Sequence, residues 1–308
     1  MSGQHTPRAA AVLASTITKV HPGSGRSPGV VDLPVVRDPL GYYFIPGTML
    51  KGTLRKLAEK TWGNNEDKGK VSCIFGPDTN DKDKHAGMLA FHDLYPLLVP
   101  APSDELGAVY VTSCTLIGRA KAILDTLRAD SSIKRFVEAL AGKCGSVPGS
   151  GGLLLASNEG SAGEENIMVG PLELKVKRAS VELNTEILNV LGGLHPLYAT
   201  VPPRDRIVVL GEGVAVSVLD SLLLRVTRVR LDSKTKTVSS GALWTEEYIP
   251  WGVLLVGAVT ETGIKTEKCN NISDPVGELG NLVGKTGVIV IGGNETVGSG
   301  VLRVKLEF

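Results

Sequence analysis

An α+β fold is what this chain predicts, on three observations. Strand-like and helical periods are mixed along the 308 residues. The early elements run strand, helix, strand, strand, helix, and the C-terminus closes on an alternating strand. Together they match the β-α-β-β-α-β plan of the ferredoxin-like fold, carried here with large insertions. RNA-recognition modules share that plan and bind on the sheet face.

Each element has its own signal. Residues 10–20, AAVLASTITKV, form an apolar run expected to be a buried strand. Residues 21–46 are rich in Gly and Pro and read as loop. In residues 48–62, Leu50, Leu54, Leu57, Ala58 and Trp62 recur at helical spacing, with Lys51, Arg55, Lys56 and Lys60 opposite. Residues 63–86 are a polar excursion around Cys73–Phe75, expected to be a long loop insertion. Strands are expected at 87–99 and 108–113, then helix over 115–141, broken at Asp130-Ser131 with Ser131 capping the second half. Residues 143–166 are Gly/Ser-rich and read as a flexible arm. Strand-like segments follow at 167–178, 206–210, 214–231 and 251–260, whereas 272–284 fits neither period. In the last run Leu302, Val304, Leu306 and Phe308 alternate with Arg303, Lys305 and Glu307, as a half-buried strand requires. No repeat of 20 to 50 residues is present, so one domain over 1–308 is expected.

Composition narrows the function classes. The formal net charge of +1 gives no global attraction to nucleic acid, so such a role must come from local patches. Glycine accounts for 37 residues, well above the roughly 7% of average proteins, which points to tight turns and close backbone approaches. Cys73, Cys114, Cys144 and Cys269 lack zinc-ribbon spacing and read as free thiols in a reducing compartment. No signal pattern and no apolar run of about 18 residues occurs, so a cytoplasmic protein without a membrane span is expected.

Several residues could carry chemistry. Lys51 and Arg55 share a helix face, and Gly52 between them would let a phosphate backbone approach; an ordinary solvated basic face fits equally. The loop GGNETVGSG, residues 292–300, can offer backbone N–H groups to phosphates through Gly292, Gly293, Thr296, Gly298 and Gly300, or be a turn. It lacks the Lys-[Ser/Thr] of a P-loop. Asp32, between Val31 and Leu33, could serve acid/base chemistry or bind a metal, or simply form a turn or salt bridge. His21 ends a strand. Glu246, Glu247 and Tyr248 in LWTEEYIP could add acid/base groups or lie on an exposed strand edge.

Taken in order, VHPGSGRSPGVVDLPVVRDP, IPGTMLKGTLR, LWTEEYIP and IGGNETVGSG resemble the RAMP superfamily of CRISPR proteins, and most of all the backbone-subunit family of the type III-B (Cmr) effector complex. The motifs cover the first and last sixty or so residues; the middle matches in layout only. The resemblance implies a ferredoxin-like palm with thumb and finger insertions, the thumb falling at 143–180. It implies copies of the chain in a helical filament along a CRISPR guide RNA, with other subunits of the complex. The filament would pair with single-stranded target RNA and cut it at regular intervals, using a divalent metal ion (Mg2+ or Mn2+). By the same resemblance, residues 21–46 are the catalytic loop, Asp32 the catalytic and metal-binding acid, and His21, Glu246 and Tyr248 accessory groups. Lys51, Arg55, Gly52 and the 292–300 loop would contact RNA. Pro22 and Pro28 stiffen the first loop, and Met49 stands where small residues are common. A non-catalytic RNA-binding scaffold is the alternative reading. A nucleotide-binding enzyme is a third, disfavoured by the missing Lys-[Ser/Thr].

Overall fold

A computed structural model describes residues 8–26, 29, 31–63, 68–78, 80, 84–127, 131–156, 163–232, 234, 238–264 and 266–308. In chain order the elements are β1 (Ala9–Thr16), α1 (Gly47–Trp62), α2 (Lys68–Phe75), β2 (Leu89–Phe91), β3 (Tyr95–Ser103), β4 (Gly107–Ser113), α3 (Cys114–Asp125) and α4 (Ser132–Ala141). Then come β5 (Gly152–Ala156), β6 (Glu164–Val169), β7 (Leu172–Ser180), α5 (Thr185–Leu194), α6 (Pro196–Thr200), β8 (Ile207–Leu210), α7 (Glu212–Ser221) and β9 (Leu224–Leu231). The last are β10 (Val238–Tyr248), β11 (Leu254–Glu261), α8 (Pro275–Thr286), β12 (Val288–Val290) and β13 (Val301–Glu307).

One 11-stranded sheet runs β12-β13-β1-β11-β3-β4-β8-β5-β7-β6, with β2 also on β11; β9 and β10 form a separate two-stranded ribbon. Helices cover both faces of the large sheet. Ala10, Val12 and Ala14 of β1 pack on the side of α1, α2, α7 and α8, while Ala11 and Leu13 pack on the side of α3, α4, α5 and α6. Burial on both faces is why β1, β8 (IVVL) and the start of β11 read as unbroken apolar runs.

The topology corrects the expected pairing. The neighbours of β1 are β11 and β13, both antiparallel, and β11 in turn pairs with β3. The segment at 108–113 is β4, which lies beyond β3 and runs parallel to β8. The second helix joining this group is α8, in the stretch that fitted neither period. Its N-cap Asp274 accepts from Gly277 N at 2.8 Å, and it ends at Gly287 with φ 62°.

Other expectations fare unevenly. Ser131 caps α4 by accepting from Lys134 N; Asp130 lies outside the described residues. The arm expected over 143–166 contains β5, all five residues buried between β8 and β7. A Cβ on Gly152 would lie 3.0 Å from Val208 Cγ1 and 3.1 Å from Val176 Cγ1, so its glycine content there answers a packing demand, not flexibility. The strand expected at 214–231 is α7 followed by β9, because a short apolar run does not separate the two periods. The polar excursion at 63–86 contains α2, which Lys70 ties to Glu278 at 2.7 Å.

All four cysteines are paired, which corrects the free-thiol expectation: Cys73 with Cys269 and Cys114 with Cys144, each pair 5.6 Å between Cα atoms. Separations of 196 and 30 residues carried no pairing signal; folding brings them together.

His195 is fully buried and caps α6, its Nδ1 accepting from Leu197 N at 3.0 Å. Burial, with the charge of Arg303 adding, pushes its pKa down from 6.5 to about 4. The unfolded chain therefore binds a proton that the folded one refuses, and stability should fall as pH drops from 6.5 towards 4. The loss should be on the order of 2–3 kcal/mol. Thermal melts should show a lower Tm at pH 4.5 in the wild type than in His195→Gln, relative to each at pH 7.5; parallel pH profiles would contradict it.

Candidate functional site

Strand β10 is the frame of the site, and its alternation sorts the surrounding residues. One edge pairs with β9. Along the other edge, Leu33 N donates to Thr245 O (3.0 Å) and Glu247 N to Leu33 O (3.0 Å), and Val20 and Ile249 exchange both bonds. Asp32 Oδ2 accepts from Thr245 N at 2.8 Å. His21 Nδ1 lies 2.6 Å from Glu247 O. Because a carbonyl only accepts, that nitrogen carries a proton, and in the neutral ring Nε2 keeps its lone pair. Asp32 and His21 are thus clipped to backbone groups two residues apart, roughly 7 Å along a strand. Between them the 21–36 segment folds on itself, Ser24 N donating to Pro34 O and Val36 N to Pro22 O. Gly23 passes so close that a Cβ there would sit 2.6 Å from His21 Nε2. Asp32 itself is exposed.

The even-numbered side chains of β10 build a polar cluster. Tyr248 donates a short hydrogen bond to Glu246. Trp244 Nε1 donates to Glu246 Oε1 (2.8 Å), and Arg228 reaches Glu246 Oε2 (2.9 Å) and the Tyr248 hydroxyl (3.0 Å). Lys19 Nζ stands 4.1 Å over the Tyr248 ring, and the His21 ring packs 5.4 Å from it. Burial alone would raise the pKa of Glu246, but hydrogen bonds from Tyr248 and Trp244 and the charge of Arg228 outweigh it and hold the carboxyl low. Burial and the Glu246 carboxylate push the Tyr248 phenol up. Both side chains are almost sealed, at 3% and 0% exposure, so they support the site from beneath and do not face RNA as the free chain stands.

The odd face holds an ion network. Glu247, 2% exposed, accepts from Val35 N (3.2 Å), Arg37 (2.9 Å) and Arg225 (3.1 Å), and both arginines also reach Asp220 at 2.6 Å.

The glycine-rich loop lies against the same segment. Gly293 N donates to His21 O (3.3 Å) and Gly300 N to Lys19 O (2.8 Å). Gly292, at φ 89°, comes so close that a Cβ would meet His21 O at 2.8 Å. The loop holds a short 3-10 turn, Glu295–Val297, with Gly293, Thr296 and Gly298 exposed; of the N–H groups expected to meet phosphates, that of Gly298 donates to Glu295 O (3.0 Å). Asn294 Nδ2 donates to Glu246 Oε2 (3.1 Å) and to the Tyr248 hydroxyl (3.0 Å). Lys56 Nζ of α1 comes to 3.9 Å from Glu295 Oε2.

Helix α1 starts at Gly47, whose N–H is taken by Asp93 Oδ1 at 2.8 Å. Lys51 is half-buried and its side chain makes no hydrogen bond or ion pair among the described residues, and the space beside Gly52 is open. Arg55 differs: it is spent on Glu59 (2.8 Å) and the Gly76 carbonyl (2.8 Å), holding the 63–86 insertion. Sequence reasoning missed Asn294, Arg228, Trp244 and Asp93. The alternation of Trp244, Glu246 and Tyr248 was the one available signal for a shared face.

Among the described residues no three His, Cys, Asp or Glu side chains are grouped to hold a metal ion. Asp32 offers one free carboxylate oxygen, because Oδ2 is taken by Thr245 N. The protein groups alone do not fit a resident divalent ion.

An α+β chain of this plan, with an acid, a histidine and a glycine loop gathered on one strand ribbon, belongs to the RAMP superfamily, whose model matches residues 13–303. The chain is 31% identical over 296 residues to the CRISPR system Cmr endoribonuclease Cmr4 of Pyrococcus furiosus, covering 95% of this chain and 93% of that protein. Among solved structures it resembles a chain of the type III-B Cmr-beta complex bound to cognate target RNA, with TM-score 0.73, 23% identity and coverage of 97% and 96%. It also resembles oligomeric Cmr4 from Pyrococcus furiosus, with TM-score 0.60, 20% identity and coverage of 98% and 99%.

Proposed function

We propose that the chain is a CRISPR RNA-binding filament subunit of a type III-B effector complex, and that it cleaves guide-paired target RNA as an endoribonuclease. The observation that carries the reading is near-full-length similarity to a Cmr endoribonuclease, joined to an exposed Asp32 held by β10. Its partners are the guide RNA, single-stranded target RNA, copies of itself and the other Cmr subunits. The order β13-β1-β11-β3, with α1 after β1 and α8 after β11, supports a ferredoxin-like palm. The thumb reading of 143–180 narrows to β6 and β7 at the sheet's end, since β5 is core. A cytoplasmic setting is part of the proposal. Among the described residues no helix is long and apolar enough to cross a membrane.

The chemistry asked of the chain is modest. Asp32 takes the proton from a target 2′-hydroxyl, O2′ bonds to the adjacent phosphorus, and the bond to the 5′ oxygen breaks, that oxygen leaving with a proton from water. His21, buried with Gly23 packed against its Nε2, holds the loop behind Asp32. The guide and target held in line supply the rest. Among the described residues no three ligating side chains group as a site for the expected Mg2+ or Mn2+; an ion held by Asp32 together with the RNA phosphates would be the form that fits.

The test is Asp32→Ala in the complex assembled on guide RNA. Guide binding should be kept and target cleavage lost. Protection of target RNA without cutting by the wild type would favour the scaffold reading instead.

Lys51 and Arg55 should separate. Lys51→Ala should weaken guide binding for every sequence and reduce the salt slope by about 0.7–1. Arg55→Ala should leave the slope unchanged and instead increase proteolysis of the 63–86 insertion. Equal slopes for wild type and Lys51→Ala would take α1 out of the RNA path.

A further inference from the structure

Asn294 sits at a junction that the RNA-cleavage reading does not use. Its backbone is left-handed, with φ 67° and ψ 28°, one of two non-glycine residues at positive φ among the described residues. Its carbonyl accepts from Val297 N (3.1 Å) and Ser299 N (3.3 Å), which closes the 3-10 turn of the glycine-rich loop. Its side chain points the other way, one amide nitrogen reaching both Glu246 Oε2 and the Tyr248 hydroxyl. The proton logic is self-consistent. An ionised Glu246 only accepts, and Tyr248 spends its proton on Glu246, so its oxygen is left to accept from Asn294 and Arg228. The groups around the pair are Arg228 and Trp244 from the ribbon, His21 and Lys19 from the segment after β1, and Asn294 from the loop. Asn294 is the side chain that joins the loop to the pair, and Lys56–Glu295 joins the same loop to α1.

Resting on the cleavage reading, we propose that Asn294 is a positioning residue. It ties the glycine-rich loop to the buried Glu246–Tyr248 pair, so that RNA held by the loop is kept in register with Asp32 and His21 on β10. It need not touch RNA to do so. The left-handed backbone makes a clean test possible. Glycine tolerates that φ and deletes the amide, while aspartate keeps the shape and sets an acceptor against Glu246.

Two readouts are needed on Asn294→Gly and Asn294→Asp. In the free chain, the NMR signal of the Tyr248 ring carbon bearing the hydroxyl should move in both variants. In the assembled complex at saturating target, cleavage should fall about tenfold in Asn294→Gly and further in Asn294→Asp, with guide affinity unchanged within about twofold. An unmoved Tyr248 signal in Asn294→Asp overturns the tie. Wild-type cleavage in both variants, or a loss that tracks guide affinity, overturns the positioning role. Should Asp32→Ala still cleave, the Asp32 assignment fails, and the Tyr248 signal still decides whether the tie exists.

Discussion

Glu247→Ala should cost about 1–3 kcal/mol of stability, because the buried Val35 N–H loses its acceptor while the partly exposed Arg37 and Arg225 keep Asp220. Glu247 accepts from Arg37, Arg225 and the Val35 amide. Without it, two guanidinium groups share Asp220 alone, and the buried Val35 N–H loses its acceptor. At roughly 2–4 °C per kcal/mol for a large domain, Tm should drop by about 5 °C. The damage is aimed at function as well. Val35 pairs with Gly23 in the turn that carries Asp32 and His21, so the acid and the histidine should lose their placement before the large sheet melts. Glu247→Gln keeps an acceptor for Val35 and should lose less than half as much. Differential scanning calorimetry decides; a melt for Glu247→Ala indistinguishable from wild type would mean the network contributes nothing net.

Asp32→Asn asks what the acid is for. Asparagine retains a side-chain oxygen for the Thr245 N–H, so the clip to β10 survives. What goes is the charge and the ability to take a proton. If Asp32 works as a base, Asp32→Asn should lose cleavage as fully as Asp32→Ala, by about 10²–10⁴-fold, the usual worth of general acid–base catalysis. Guide affinity and Tm should stay at wild-type values, because the residue is exposed and its one structural bond is kept. Single-turnover cleavage with saturating target separates these cases. Near wild-type cutting by Asp32→Asn combined with loss in Asp32→Ala would make Asp32 a structural clip and not the base.

Much of the fold was legible because burial leaves a periodic trace. The core face of α1, the cap at Ser131 and the alternation of 301–307 follow from side-chain spacing alone, whereas Phe308, expected on the buried face, lies past the strand and is exposed. The Gly/Ser-rich character of 143–166 misled, because Gly152 serves close packing between Val208 and Val176 and not mobility. The 214–231 run misled for another reason: its short apolar stretches fit the helical and the strand period alike. In the site, Asp32, His21, Glu246 and Tyr248 could be marked from the chain, but not their division of labour. Burial of Glu246 and Tyr248 makes them supports, and Arg55 is taken by Gly76 where Lys51 is left free.

What the amino-acid order decides here is local. It sets which stretches become strands or helices, where glycine permits left-handed backbone, and which motifs mark the RAMP superfamily. Partnership across long separations was decided only by the tertiary structure. Cys73 meets Cys269, β11 and not β4 flanks β1, and Asn294 of one end reaches Glu246 and Tyr248 of the ribbon. The physical reason is range. Backbone sterics and side-chain period act over a few residues, whereas the pairing of distant polar groups depends on which surfaces the apolar core brings together.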